Sequence, residues 1–128
     1  GLMVPKIRDV DQMSIKEIGS ALRKTSRLCR DLKIDKKEFF GGSMTISSLG
    51  GIGGTFFTPI INPPEVAILG VGKSFDRLVK VNDKFVSRKI LPISLSYDHR
   101  IIDGAEGARF CVYLGKCLGK DFAFKLAV

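Results

Sequence analysis

The stretch GGIGGTFFTPIINPPE, residues 50–65, constrains this chain more than any other, because its four glycines and three prolines suit neither a helix nor a strand interior. It reads as a loop or a set of tight turns. Ahead of it, residues 1–8 alternate weakly and carry Pro5, which predicts a strand end or edge. GLMVPKIRDV reads as a strand already in progress, as in a chain cut from something longer. Ser14 and Glu17 have the spacing of a capping box, and Ile15, Ile18, Leu22, Cys29 and Leu32 recur at helical intervals, predicting an amphipathic helix over 15–32. The polar connection IDKKEFFGG leads to SMTISSL, rich in strand formers.

Beyond the loop, VAILGVGK (66–73) has the pattern of a buried strand, and RLVKV and KFVSRK flank Asn82-Asp83 as the arms of a hairpin. ILPISLSY (90–97) is another strand, which ends just before His99. Asp103 and Glu106 repeat the capping signature, ahead of a helix expected to bury Ala105, Ala108, Val112 and Leu118. Helix, several strands, helix is the order of an α/β (α+β) two-layer sandwich with a mixed sheet, in a single domain without a dividing linker or internal repeat.

Composition removes some functions. With 45% hydrophobic and 27% charged residues the chain is globular, and no apolar run approaches the ~20 residues that span a bilayer. The three cysteines, Cys29, Cys111 and Cys117, form no C-x-x-C pair, so neither a zinc site nor a dithiol motif is offered, and a reducing compartment with free thiols follows. Much of the net charge of +8 lies between Lys16 and Lys37, where eight cations outnumber the acids. Basic residues recurring along a helix read as a solvated face, and without aromatic residues for base stacking no nucleic-acid partner is expected.

Ordinary enzyme motifs fail in detail. Gly51-x-Gly53 has Phe56 where a dinucleotide loop needs its third glycine, and Ala67 stands where a P-loop ending at Gly72-Lys73 would need its first. A G-x-S-x-G elbow is absent, and one histidine cannot build a histidine metal site. What remains is that histidine, His99, at a strand-to-helix junction, with Asp103 four residues on and the serine-rich strand Thr45-Ile46-Ser47-Ser48 upstream. An imidazole titrates near neutrality and can take a proton from a thiol or hydroxyl if another group stabilises the developing charge, a task open to Ser47 or Ser48. Spacing alone leaves Asp103 equally readable as a helix N-cap, Ser47 as a plain strand residue and His99 as a loop histidine.

DHRIIDG resembles the H-x-x-x-D-G signature of the dihydrolipoyl acyltransferases, the core component of 2-oxo acid dehydrogenase complexes. GLMVPKIRDVDQMSIKEI, GGSMTISSLGGIGG and FTPIINPPEVAILGVGK resemble three further segments of that family in the same order, so the similarity runs the length of the chain. The resemblance implies a chloramphenicol acetyltransferase-like fold, of which residues 1–128 are the C-terminal part of a single catalytic domain. It implies that His99 takes the proton from the thiol of coenzyme A or dihydrolipoamide, that Ser47 stabilises the oxyanion, and that Asp103 holds the geometry. Gly104 would let the chain turn tightly into the helix. Coenzyme A would be the substrate, a separate lipoyl domain would supply the lipoyl group, and no metal is called for.

The implied assembly is a homotrimer building a larger core, with His99 of one chain facing Ser47 of the next across a channel. The decarboxylase and dihydrolipoamide dehydrogenase components would be further partners, with no membrane and no nucleic acid. The implied location is the cytoplasm of a bacterium or the mitochondrial matrix. GGTFFTPI and PEVAILGVGK are closer to bacterial pyruvate-type enzymes than to the 2-oxoglutarate or branched-chain types, which favours acetyl as the acyl group. Two departures stand out: Lys6, where relatives are apolar, and residues 31–34, DLKI, where glycine-lysine-leucine is usual. A non-catalytic scaffold fragment is the rival reading.

Overall fold

The computed structural model describes residues 2–122. The chain divides into two compact units, Gly1–Gly42 with Leu114–Val128, and Ser43–Tyr113.

In the first unit, helix α1 runs over Ile15–Arg30. Ser14 Oγ accepts the Glu17 N–H at 3.2 Å and the Glu17 carboxylate accepts the Ser14 N–H at 2.7 Å, completing the predicted capping box. The Ser14 backbone N–H at the carboxylate, and after it the Ser14 side chain, hold the Glu17 carboxyl below its ordinary range. The half-buried face is Ile18, Ala21, Thr25, Leu28 and Cys29, whereas Ile15, Leu22 and Leu32, predicted to share the inner face, are 48%, 58% and 77% exposed. Leu32 lies beyond the helix altogether, in a left-handed conformation with φ 54°. Lys16, Arg23, Arg27 and Arg30 are exposed.

The predicted strand at the start of the chain does not form over residues 2–8, and Gly1 lies outside the described residues. A strand needs a neighbour to satisfy its backbone, and the described part of this unit contains none. The segment is held instead to a 3-10 turn at Lys36–Phe39: the Lys6 N–H donates to Glu38 O, and the Arg8 guanidinium donates to the carbonyls of Lys37 and Phe40, each at 2.9 Å.

The second unit holds both sheets. Strands β1 (Thr45–Ser48), β2 (Ala67–Val71) and β5 (Ile93–Tyr97) form a mixed sheet in the order β1-β2-β5, parallel between β1 and β2 and antiparallel between β2 and β5. Strands β3 (Phe75–Val81) and β4 (Lys84–Ile90) form the predicted hairpin. Asn82 and Asp83 have φ 50° and 62°, as a two-residue turn matched to strand twist requires. Ile90 closes β4 rather than opening the next strand, since Pro92 lacks the N–H that a continuous ladder would use. Residues 50–65 are irregular as expected, with a cis peptide at Pro63-Pro64.

Helix α2 covers Gly104–Cys117. Its buried residue is Gly107, while Ala105, Ala108, Val112 and Leu118, predicted to face inward, are exposed. The helix turns its side-chain-free position toward Tyr97: a Cβ on Gly107 would stand 2.8 Å from Tyr97 Cε1. An inward face chosen by apolar side chains misses that contact, because a glycine contributes nothing to hydrophobic periodicity.

Candidate active site

The register of the sheet sorts its side chains. Ser47, Gly70 and Ser94 form one row, with Thr45, Ile68 and Ser96 on the same face, while Ile46, Leu69, Leu95 and Tyr97 point to the other. Gly70 makes room for an aromatic ring over the serine face, since a Cβ there would lie 2.9 Å from Phe57 Cζ. Ser47 is half-buried, and within the chain its hydroxyl makes no hydrogen bond to a described residue. Beside it, Thr45 donates its hydroxyl proton to the carboxylate of Glu65 at 2.5 Å. Glu65 is 8% exposed and follows the cis proline pair, so this bond ties the irregular loop to the strand that carries Ser47.

His99 lies in the turn after β5 and is exposed. Its neighbours fix that turn. The Asp98 N–H donates to Val66 O at 2.8 Å, one step beyond the strand ladder, and Asp98 O accepts the N–H groups of Ile101 and Ile102 at 3.0 Å each. The Asp98 carboxylate accepts the Arg100 backbone N–H at 3.0 Å and the guanidinium through Nε at 2.9 Å and Nη2 at 2.7 Å. These bonds from Arg100 hold the Asp98 carboxyl at about 2 and raise the guanidinium above its ordinary value. The imidazole itself touches the Tyr97 ring, centroid to centroid 5.5 Å at 43°, and makes no hydrogen bond to another described residue. Asp98, Arg100, Ile101, Glu65 and the two cis-linked prolines line a groove of about 480 Å³ alongside.

Asp103 accepts the Glu106 N–H at 2.8 Å and so caps α2, with no contact to the imidazole. The reciprocal half of that predicted capping box is not made. Gly104 does not have a positive φ, so the tight turn expected of it is not what it supplies. A Cβ there would meet Tyr97 Oη at 3.7 Å and His99 Nε2 at 3.9 Å, which puts Nε2 beside the first turn of α2.

The structure does not bring Ser47 and His99 together within one chain. Ser47 is level with Ser94, three residues before Tyr97, and β2 lies between their strands. Two strand spacings across and three residues along already separate Ser47 from Tyr97 by about 14 Å, and the two side chains point from opposite faces. The sequence shows Asp98 and Arg100 flanking His99 but assigns no role to them, to Glu65 or to Tyr97. The one available signal was opposite charge on either side of the lone histidine.

Residues 1–123 match the family model of the 2-oxoacid dehydrogenases acyltransferase (catalytic domain). The chain is 52% identical over 122 residues to the dihydrolipoyllysine-residue acetyltransferase component of the pyruvate dehydrogenase complex of Cupriavidus necator, covering 95% of this chain and 22% of that protein. The structure of Azotobacter vinelandii dihydrolipoamide acetyltransferase, studied for the role of a serine, a histidine and an asparagine in its catalytic mechanism, superposes with a TM-score of 0.90 at 49% identity. The cubic core of the pyruvate dehydrogenase multienzyme complex superposes with a TM-score of 0.91 at 48% identity. Both superpositions cover 96% of this chain and 51% of the other. The chain therefore spans about a fifth of that curated relative and about half of each solved chain.

Proposed function

From the premise that this chain belongs to the acyltransferase family of the 2-oxoacid dehydrogenases, we propose that it moves an acetyl group between dihydrolipoamide and coenzyme A, with His99 as general base and Ser47 as oxyanion donor. The thiol gives its proton to the imidazole, and the thiolate attacks the thioester carbonyl. The Ser47 hydroxyl donates to the oxygen that gains charge. Collapse of the tetrahedral intermediate expels the other thiolate, which takes its proton back from His99. Exchange of one thioester for another is nearly balanced, so alignment and charge stabilisation suffice. Coenzyme A is the substrate and the lipoyl arm comes from a separate domain.

The observation that carries this reading is that neither Ser47 nor His99 hydrogen-bonds through its side chain to another described residue, while Ser47 lies on one face of the sheet and His99 follows the far strand, whose last residue, Tyr97, points to the other face. Two copies related by rotation can supply the pair. We therefore assign residues 1–128 to the C-terminal part of one chloramphenicol acetyltransferase-like domain, a two-layer sandwich that forms a homotrimer and then a larger core. The decarboxylase and dihydrolipoamide dehydrogenase components work with that core, in a bacterial cytoplasm. Spacing supports the residues chosen: the serine, histidine and asparagine studied in the Azotobacter protein are 52 and four positions apart, as Ser47, His99 and Asp103 are here. Asp103 has a carboxylate where that protein has an amide, and either caps a helix.

The test is acetyl transfer from acetyl-coenzyme A to dihydrolipoamide by the full-length protein. His99→Ala should lower the rate by about 10²–10⁴ and Ser47→Ala by about 10²–10³. Mixed assemblies of the two variants should recover activity, because some sites then combine an intact His99 with an intact Ser47. Equal activity in wild type and His99→Ala would remove the proposal. Faster transfer of succinyl or a branched acyl group would reassign the substrate.

A further inference from the structure

The side chains on either side of His99 are bound to each other, over a turn whose backbone is tied to Val66. Asp98 takes three donors from Arg100, one from the backbone and two from the guanidinium, across the residue between them. The Asp98 side chain is 20% exposed and that of Arg100 is 88% exposed. An ion pair that open contributes little to folding, whereas a bidentate guanidinium–carboxylate contact fixes geometry. What it fixes is the turn that presents an imidazole with no hydrogen bond of its own to another residue. Tyr97 at the end of β5 touches that imidazole, Asp98 and Arg100 flank it in the turn, Asp103 and Glu106 belong to the start of α2 beside it, and Glu65 lines the groove together with Asp98 and Arg100. Asp98 and Arg100 are its immediate chain neighbours, one of each sign.

We infer that Asp98 and Arg100 are positioning residues for His99: together they set the turn that aims the imidazole, and each cancels the other's charge beside it. This rests on the reading of His99 as the general base. Asp98 stays ionised down to about pH 2, because its folded value lies below the ordinary 3.8. Its contribution is therefore present above that ordinary value and is lost only as the pH falls through about 2, well below the range in which a histidine titrates. The acid limb of the rate profile then lies clear of the loss of the Asp98 charge.

Removing either partner uncovers the other's charge. Arg100→Gln leaves a carboxylate beside the imidazole, favours its protonated form and should move the acid limb to higher pH. Asp98→Asn leaves a guanidinium and should move it to lower pH, each by about half a unit to one unit. Both variants loosen the turn, so kcat should fall about tenfold to a hundredfold with KM for either thiol unchanged within about twofold. Arg100→Lys restores the charge but not the fork; it should return the limb to its wild-type position while kcat stays low.

The measurement is the pH profile of acetyl transfer by the assembled full-length enzyme, with Asp76→Asn as a control that breaks the exposed hairpin pair Lys89–Asp76 and should change nothing. Limbs that stay in place, shifts in the same direction, or a rise in KM at constant kcat would overturn the inference. If Asp98→Asn does not assemble, the two Arg100 variants decide, since that side chain is almost wholly in solvent. A His99→Ala enzyme that retains activity removes the base reading and this inference together. A dead His99→Ala enzyme with unaffected pair variants removes the inference alone.

Discussion

Gly107 and Gly115 lie in the same helix and should respond oppositely to one methyl group. At Gly107 a Cβ would sit 2.8 Å from Cε1 of Tyr97, closer than carbon atoms approach, and a tight 3.2 Å from Cζ, whereas at Gly115 it would meet nothing within 4 Å. The Tyr97 ring stands at a strand end against His99, so a shift of the ring is passed to the imidazole. Gly115→Ala should therefore gain up to about 1 kcal/mol of helix propensity. Gly107→Ala should lose about 1–3 kcal/mol to overpacking, offset in part by the same propensity, and should also lower kcat. Thermal melts of the two variants, with transfer rates on the folded proteins, check this; a stabilised and fully active Gly107→Ala would show that the ring has room to move.

At the scale of elements, the end of α1 shows a local rule broken at Leu32. The Leu32 and Lys33 N–H groups bond back to the carbonyls of Cys29 and Leu28, the paired closure that ends many helices, with Leu32 at φ 54° where glycine is the usual occupant. Its side chain is 77% exposed, so little packing offsets the strain. Leu32→Gly should stabilise the protein by about 1 kcal/mol without touching activity, and a lower melting temperature would contradict that account. The same comparison explains what was legible. The Ser14–Glu17 box and the Asn82-Asp83 turn depend on residues within four positions of each other, and both formed as read. The inner face of α2 was misread because Gly107 is silent in any hydrophobic pattern. Residues 2–8 alternate as a strand does, but a strand also requires a neighbour. The roles of His99 and Ser47 came from resemblance to a family, since a hydroxyl and an imidazole 52 positions apart carry no local signal.

At the scale of the whole molecule, the mixed sheet, the hairpin and the 50–65 segment leave large apolar side chains open. Ile68 and Leu69 are the buried hydrophobic core residues among those described, while Ile46, Ile52, Phe56, Ile60, Leu78 and Phe85 are each between 68% and 88% exposed. Burying a side chain of this kind is worth about 1.5–3 kcal/mol. Six of them amount to roughly 10 kcal/mol or more, comparable to the whole stability of an ordinary domain. Further chain or neighbouring copies of the kind proposed above would cover such side chains, and an active site divided between subunits would depend on the same contacts. The 128-residue chain alone should accordingly bind a hydrophobic dye and exchange its β2 and β5 amides rapidly, whereas the full-length assembly should exclude the dye and protect those amides by several orders of magnitude. Protection of β2 and β5 in the isolated chain equal to that in the assembly would mean that the sheet is stable by itself. The exposed apolar residues would then serve association rather than folding.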